Sequence, residues 1–315
     1  MMTKTLVVGG TGYVGRELVR QLIDRKNEVS VLSRGQPIKE VEWLQADIAD
    51  KESLLSKLEG KNYDVVYHVA SLANDTGNPE EMIKVNIVGL TNMLEFVRKS
   101  RVRRFVLSSS VSAYGWYPAT KFQKPLYMPV DENHAVRPKD MYCATKRMQE
   151  ILALTFYHQY KVPVTILRLC GVMGPVGPQE AGGGRMWKSL SLQMKKGKEI
   201  HLPLFAPEEK NHFVDNRDVA AMHILVGEHP RATGEIFNCC GPKATTGKEF
   251  AALVEEIIPT AKVKFGFPWG VAQGVIEFDM SKMERLLGYR PRYTISDSLR
   301  FIFDWVNKGG LENMK

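Results

Sequence analysis

The most restrictive feature of this chain is a glycine triplet wedged between an apolar run and an amphipathic stretch. Leu6-Val7-Val8 leads directly into Gly9-Gly10-Thr11-Gly12-Tyr13-Val14-Gly15, and a helix-like pattern, Gly15–Arg25, follows. Short runs rich in Val, Ile and Leu recur at Val29–Leu32, Val65–Val69, Phe105–Leu107 and Val164–Leu169, each the length of a buried strand. Between them lie the amphipathic stretches Lys51–Leu58, Glu80–Ser100 and Asp140–Tyr160. Such alternation over ~170 residues predicts an α/β fold, a doubly wound parallel sheet with helices on both faces.

Placed between a strand and a helix, the glycines acquire a mechanism. They let the backbone turn tightly and approach a pyrophosphate, which then rests on the positive helix N-terminus. Gly9, Gly12, Tyr13, Val14 and Gly15 are therefore expected to hold a dinucleotide, and the fold to be of the Rossmann type. A unit that binds NAD commonly places an acid against the ribose 2′-hydroxyl about twenty residues on. Here the second strand ends Val31-Leu32-Ser33-Arg34, where Arg34 can pair with a 2′-phosphate and Ser33 can donate to it. NADP(H) is therefore favoured, with NAD(H) left open.

After Gly171 the rhythm changes. Gly174-Pro175, Gly177-Pro178 and Gly182-Gly183-Gly184 punctuate a loop-rich region, and helix-like patterns follow at Met186–Lys195, Asp215–Val226, Lys248–Ile258 and Ser296–Asn307. With no repeat and no long linker in 315 residues, the expected organisation is a dinucleotide-binding domain over 1–172, rejoined by 206–240. A smaller substrate-binding cap is expected over 173–205 and 241–315. Lys plus Arg outnumber Asp plus Glu by 43 to 35, an excess of 8 that suits an anionic cofactor as well as a nucleic acid. The four cysteines, Cys143, Cys170, Cys239 and Cys240, have neither zinc-ligand nor disulfide-framework spacing, so no metal site is expected. With no signal-peptide pattern and no apolar run of ~18 residues, a cytoplasmic setting away from membranes is expected.

Tyr142-Cys143-Ala144-Thr145-Lys146 places Tyr and Lys at i and i+4, on one helix face. A phenol of pKa ~10 needs roughly 4 kcal/mol of help to exchange a proton near pH 7, and an ammonium at ~4 Å supplies about that much. The spacing also occurs at Tyr117…Lys121, broken by Pro118, and at Tyr157…Lys161, about four turns further along the same helix. Tyr142, just after Pro138-Lys139-Asp140 and near the helix start, is the pair placed to face a cofactor. Ser108-Ser109-Ser110-Val111-Ser112 follows the strand Phe105–Leu107 at the carboxyl end, where such sheets bind ligands.

Together with Asp47-Ile48, His68-Val69-Ala70-Ser71, Val85–Gly89, Ser108–Gly115, Leu167-Arg168 and Phe213–Ala220, these motifs resemble the extended short-chain dehydrogenase/reductases, the NAD-dependent epimerase/dehydratase-like superfamily. The resemblance covers nearly the whole chain. It implies Ser110, Tyr142 and Lys146 as a catalytic trio, with Tyr142 and Lys146 also contacting the cofactor, and Ser112 as a substrate contact. It also implies Asp47 and Ile48 beside the adenine, and Val69, Ala70 and Ser71 on the path to the nicotinamide ribose, with Leu107 nearby. Asn86 would steady the site, and the Leu169–Val172 backbone would meet the carboxamide. His68 reads as a buried strand-end residue. A homodimer through the helices of Glu80–Ser100 and Asp140–Tyr160 is a further implication.

Departures from the pattern bear on the substrate. No acidic pair follows Ser110, which disfavours water elimination. Lys210-Asn211-His212 precedes Phe213 where nucleotide-sugar enzymes of this superfamily carry an Arg, and Gly266–Gly270 holds no second Arg. Arg185, Arg217 or Lys210 could compensate. The presumed cap is rich in bulky apolar residues, among them Trp116, Met173, Met186, Trp187, Phe205, Phe267 and Trp269, of which Trp116 and Met186 are candidates for contacting substrate. The expected activity is an NADP(H)-dependent oxidoreductase interconverting a ketone and a secondary alcohol of small-molecule size. The alternatives are a nucleotide-sugar epimerase with tightly held NAD and, from another class, a non-catalytic dinucleotide-sensing or RNA-associated relative using the basic run Arg98–Arg104.

Overall fold

A computed structural model describes residues 2–35, 38–73, 77–115, 125–175, 183–202, 206–265 and 276–312. The first half alternates as the sequence predicts: β1 (Lys4–Val8), α1 (Tyr13–Asp24), β2 (Glu28–Ser33), β3 (Glu42–Gln45), α2 (Lys51–Leu58), β4 (Val65–His68), α3 (Pro79–Ile83), α4 (Gly89–Lys99), β5 (Arg104–Ser110), α5 (Met141–Tyr160) and β6 (Val164–Leu169). With the later strand Ile236–Cys239 they form one parallel seven-stranded sheet in the order Ile236–Cys239, β6, β5, β4, β1, β2, β3. The order reverses at β1, which opens a crevice at the carboxyl ends of β1 and β4. The architecture is the expected Rossmann-type doubly wound sheet.

The strands read as unbroken apolar runs because both faces are covered. Val7, Val31, Tyr67, Val106 and Leu167 point into one core, shared with α1 and the helix Asn216–Glu228. Leu6, Val8, Val66, Phe105, Leu107 and Ile166 point into the opposite one, under α2, α4 and α5. A third core joins Met173, Trp187, Leu190, Phe213, Phe250, Leu299 and Ile302 from the later segments. Phe278, Met283 and Leu287, by contrast, pack against the first core, so residues near 276–290 lie on the sheet and not with that third cluster.

Besides the strand Ile236–Cys239, several elements depart from the sequence expectation. β3 is a four-residue edge strand, Glu42-Trp43-Leu44-Gln45, too polar to register as apolar. The helix expected over Glu80–Ser100 is interrupted by a π-turn, Lys84–Val88. The short helix Ser281–Leu287 has only two buried residues to mark its inner face.

Candidate active site

The loop after β1 is shaped by contacts that exclude side chains. Gly9 holds φ +87°, and a Cβ there would lie 2.8 Å from the Ala70 backbone. A Cβ on Gly15 would lie 2.3 Å from the Gly9 carbonyl oxygen. Gly12 is the N-cap of α1, with no side-chain cap hydrogen bond and no acid in the first turn. The first-turn N–H groups therefore lack a side-chain partner, and the residues present fit a dinucleotide pyrophosphate. The Tyr13 phenol points elsewhere: it donates to the carbonyls of Val172 and Gly174, each at 3.2 Å, so only its backbone and that of Val14 belong to the helix start.

At the end of β2, Ser33 Oγ accepts from Trp43 Nε1 at 3.2 Å, and Arg34 lies 3.8 Å from Asp47 in an exposed pair. Asp47 also accepts from the Ala49 N–H at 2.9 Å. The Ile48 carbonyl accepts from buried Asn92 at 2.9 Å, and its side chain fills the space where a Gly89 side chain would stand. Four sequence candidates thus sit together at one end of the crevice.

Ser110 ends β5, and its hydroxyl accepts from the Ser112 N–H at 3.1 Å in the tight turn Val111–Tyr114, which packs on α5. Asp140 caps α5 by accepting from the Cys143 N–H at 2.8 Å, which puts Tyr142 in the first turn and Lys146 in the second. Lys146 is buried, donates to the Ser108 carbonyl at 3.1 Å and stands 5.9 Å from the centre of the Tyr142 ring. Burial pulls its pKa down to about 8, with Glu150 opposing. Tyr157, in contrast, packs at the opposite end of β6, where Gly234 leaves no room for a Cβ beside its ring. The Tyr117…Lys121 pair and Trp116 lie outside the described residues, as do Phe205, Gly266–Gly270 and the Arg185 side chain.

Several supports surround the site: Asn86 is expected from the resemblance to steady it, whereas Glu150 and His223 have no assigned role in the sequence. Asn86, in the π-turn and fully buried, donates to Leu72 O and Thr145 Oγ1 and accepts from the Leu72 N–H and the Ser71 hydroxyl. It thereby ties the Val69–Leu72 segment to the helix of Tyr142 and Lys146, and it leaves Ser71 directed at Asn86. Glu150 binds Arg168 through two contacts of 2.8 Å and accepts from Ser109 at 2.7 Å, all buried. On the other face Ser108 meets His223 Nε2 at 2.7 Å, whose Nδ1 faces the Val219 carbonyl, so Nδ1 carries the proton and Nε2 accepts. Burial holds His223 down to about 4 and neutral. The signal for Glu150 was its position four residues after Lys146; nothing in the sequence marks His223.

Of the residues expected to contact substrate, Ser112 is buried beside Ser110, and Met186 is half-buried against the third core. Leu169 ends β6 half-buried, and the Val172 carbonyl takes the Tyr13 hydroxyl and the Trp187 indole N–H together. Both its lone pairs are used, so Val172 can offer a carboxamide only its N–H or side chain. His212 is locked, one ring nitrogen against the Gly241 carbonyl at 2.9 Å and the other accepting from the Phe278 N–H at 3.2 Å. Arg217 forks onto Asp215 at 2.8 Å and lies over the rings of Tyr293 and Phe301. Lys210 is 3.9 Å from Glu277. Within the basic run Arg98 pairs with Glu95, Arg103 with Asp64, and buried Arg104 reaches Thr165 and the His229 carbonyl. No cluster of metal-ligating side chains occurs among the described residues, and none of their helices is long and apolar enough to cross a membrane.

A Rossmann sheet, a glycine-lined helix N-terminus and a Ser/Tyr/Lys arrangement at the strand ends define an enzyme of the extended short-chain dehydrogenase/reductase class. The chain belongs to the NAD-dependent epimerase/dehydratase family, whose profile matches residues 5–240. It is 28% identical over 320 residues to a putative UDP-glucose 4-epimerase of Methanocaldococcus jannaschii, covering 96% of this chain and 97% of that one. It is 30% identical over 176 residues to the human sterol-4-alpha-carboxylate 3-dehydrogenase, decarboxylating, covering 55% of this chain and 45% of the relative. The crystal structure of the Thermotoga maritima UDP-glucose 4-epimerase with UDP-glucose superposes with a TM-score of 0.83 at 26% identity, covering 97% and 99% of the two chains.

Proposed function

We propose that this enzyme is an NADP(H)-dependent dehydrogenase or reductase that interconverts a secondary alcohol and a ketone on a largely apolar skeleton. A bound nicotinamide dinucleotide supplies or accepts the hydride. The chain handles the proton: Tyr142 takes it from the carbinol oxygen or returns it to the carbonyl oxygen, and Lys146 lowers the phenol's pKa by its charge. Ser110 orients the same oxygen, and Ser112 and Met186 line the substrate side. Gly9, Gly12 and Gly15 would hold the pyrophosphate, with Arg34 and Ser33 at the 2′-phosphate and Asp47 and Ile48 at the adenine.

The observation that carries the choice of substrate is the state of the cations near Phe213–Asp215. Lys210-Asn211-His212 stands where a diphosphate-binding Arg is expected, Lys210 lies 3.9 Å from Glu277, His212 has both ring nitrogens engaged, and Arg217 is committed to Asp215. A sugar diphosphate would find no fork-shaped donor among these residues. The second reading, a nucleotide-sugar epimerase retaining NAD, is favoured by the likeness to the Thermotoga maritima enzyme. Mass analysis of the nucleotide that co-purifies separates them: exchangeable NADP(H) supports the reductase, and stoichiometric, tightly held NAD overturns it.

We further infer a homodimer, because Met148 and Ile151 of α5 and Val88 beside α4 are exposed apolar residues on the outer faces of the expected helices. Sedimentation at the mass of a single chain would refute it. Four free, buried cysteines agree with a reducing, cytoplasmic setting, and the cap is assigned to the third core around Trp187 and Phe250.

A further inference from the structure

His68 is an anomaly. It ends β4, is 1% exposed, and neither ring nitrogen has a hydrogen-bond partner among the described residues. Buried polar groups are almost always satisfied, so an imidazole left with two open nitrogens calls for a reason. Its ring stacks on Phe105 at 5.8 Å, which turns it toward the layer of α4 and α5. In the ladder it stands beside Leu107, the residue before Ser108, whose carbonyl takes the Lys146 ammonium.

A second open atom lies on the same helix. Gln149, fully buried and three residues after Lys146, donates to the Asn86 carbonyl at 2.8 Å while its Oε1 has no partner. The ammonium carries three N–H donors, and the Ser108 carbonyl accounts for one. The other titratable and charged groups packed on this layer are Tyr142, Glu150 and Tyr157 from α5, Tyr63 before β4 and Arg168 from β6, and Glu150 is already bound by Arg168 and Ser109. His68, whose ring feels the Lys146 charge, and Gln149, one turn further along α5, therefore hold open hydrogen-bonding capacity on the same layer as the ammonium.

We propose that His68 is a positioning residue for Lys146. One ring nitrogen accepts from the ammonium and the other donates toward Gln149 Oε1, each through a bridging water. The resulting line, Lys146–His68–Gln149–Asn86 carbonyl, fixes the ammonium beneath Tyr142 and keeps it charged. Burial and the Lys146 charge hold His68 down to about 3, so the ring stays neutral and retains the lone pair that this role needs. The proposal rests on the reading that Lys146 works with Tyr142; its test uses a signal that needs no substrate.

The Lys146 side-chain carbon resonance is followed against pH in isotope-labelled protein saturated with NADPH. Removing a charge-assisted hydrogen bond by His68→Phe, which keeps the stack on Phe105, should lower the Lys146 midpoint by about one pH unit, a roughly tenfold change. His68→Gln should restore most of it. An unchanged midpoint in His68→Phe overturns the proposal, whatever the substrate proves to be. Should the variants fail to fold, the ring nitrogens of His68 in the wild type decide. A neutral ring with one hydrogen-bonded acceptor nitrogen from pH 5 to 9 supports the role; a ring that protonates near pH 6, or shows two unbonded nitrogens, refutes it.

Discussion

Replacing Lys146 by Met should make the protein more stable and nearly inactive. The ammonium is buried and its pKa falls from 10.5 to about 8, so at pH 7 its charged form costs roughly 3 kcal/mol of folding free energy. Met fills similar volume without a charge and forfeits one hydrogen bond to Ser108, worth about 1 kcal/mol, which leaves a net gain near 2 kcal/mol. The pH dependence follows from the sign. The lysine binds its proton more weakly in the folded chain, so the penalty is full below about 8 and fades toward 10.5, and the advantage of Met fades with it. For activity, the ammonium stands 5.9 Å from the centre of the Tyr142 ring, and at that separation an effective dielectric near 20 stabilises a developing phenolate charge by roughly 3 kcal/mol. Turnover at pH 7 should fall about 100-fold with NADPH affinity changed far less, and the wild type should lose activity as pH rises through about 8. Thermal melts at pH 7 and 10 beside NADPH-linked kinetics test both halves. A Met variant less stable than wild type at pH 7, or one keeping activity within roughly threefold, would refute the reasoning.

Tyr142→Phe should cost ~10²–10⁴-fold in turnover and leave cofactor binding nearly unchanged, whereas Tyr157→Phe, at the far end of β6, should be close to silent in the same assay. Arg34→Ala should weaken NADP(H) by ~10–150-fold in fluorescence titrations while sparing NAD(H), since the loose pair with Asp47 leaves the guanidinium free to bind a phosphate. Equal weakening of both cofactors would show that Arg34 serves only Asp47.

Much of this was legible in the sequence because the governing signals are local. β1, β2, β4, β5 and β6 are buried on both faces and so rich in Val, Ile and Leu, and the α5 start is written as Pro138-Lys139-Asp140 before Tyr142. Gly9 and Gly15 announce themselves because no side chain fits there. What escaped depends on partners distant in the chain. The edge strand β3 draws its one buried residue, Leu44, from tertiary packing, and Ile236–Cys239 is a strand because β6 waits beside it. The π-turn at Lys84–Val88 cannot be read from helical spacing, yet Asn86 within it connects the β4 exit to α5. Arg217, a compensating diphosphate ligand on charge alone, proves committed once Asp215, Tyr293 and Phe301 surround it.

We propose net redox chemistry at the Ser110, Tyr142 and Lys146 site on a substrate without a diphosphate. The most direct measurement follows reduced-nicotinamide absorbance and product together while apolar ketones and nucleotide sugars are supplied side by side with NADPH. One NADPH should be consumed per alcohol formed from a ketone, and this turnover should be lost in Tyr142→Phe. Interconversion of a nucleotide sugar with no change in absorbance would contradict it.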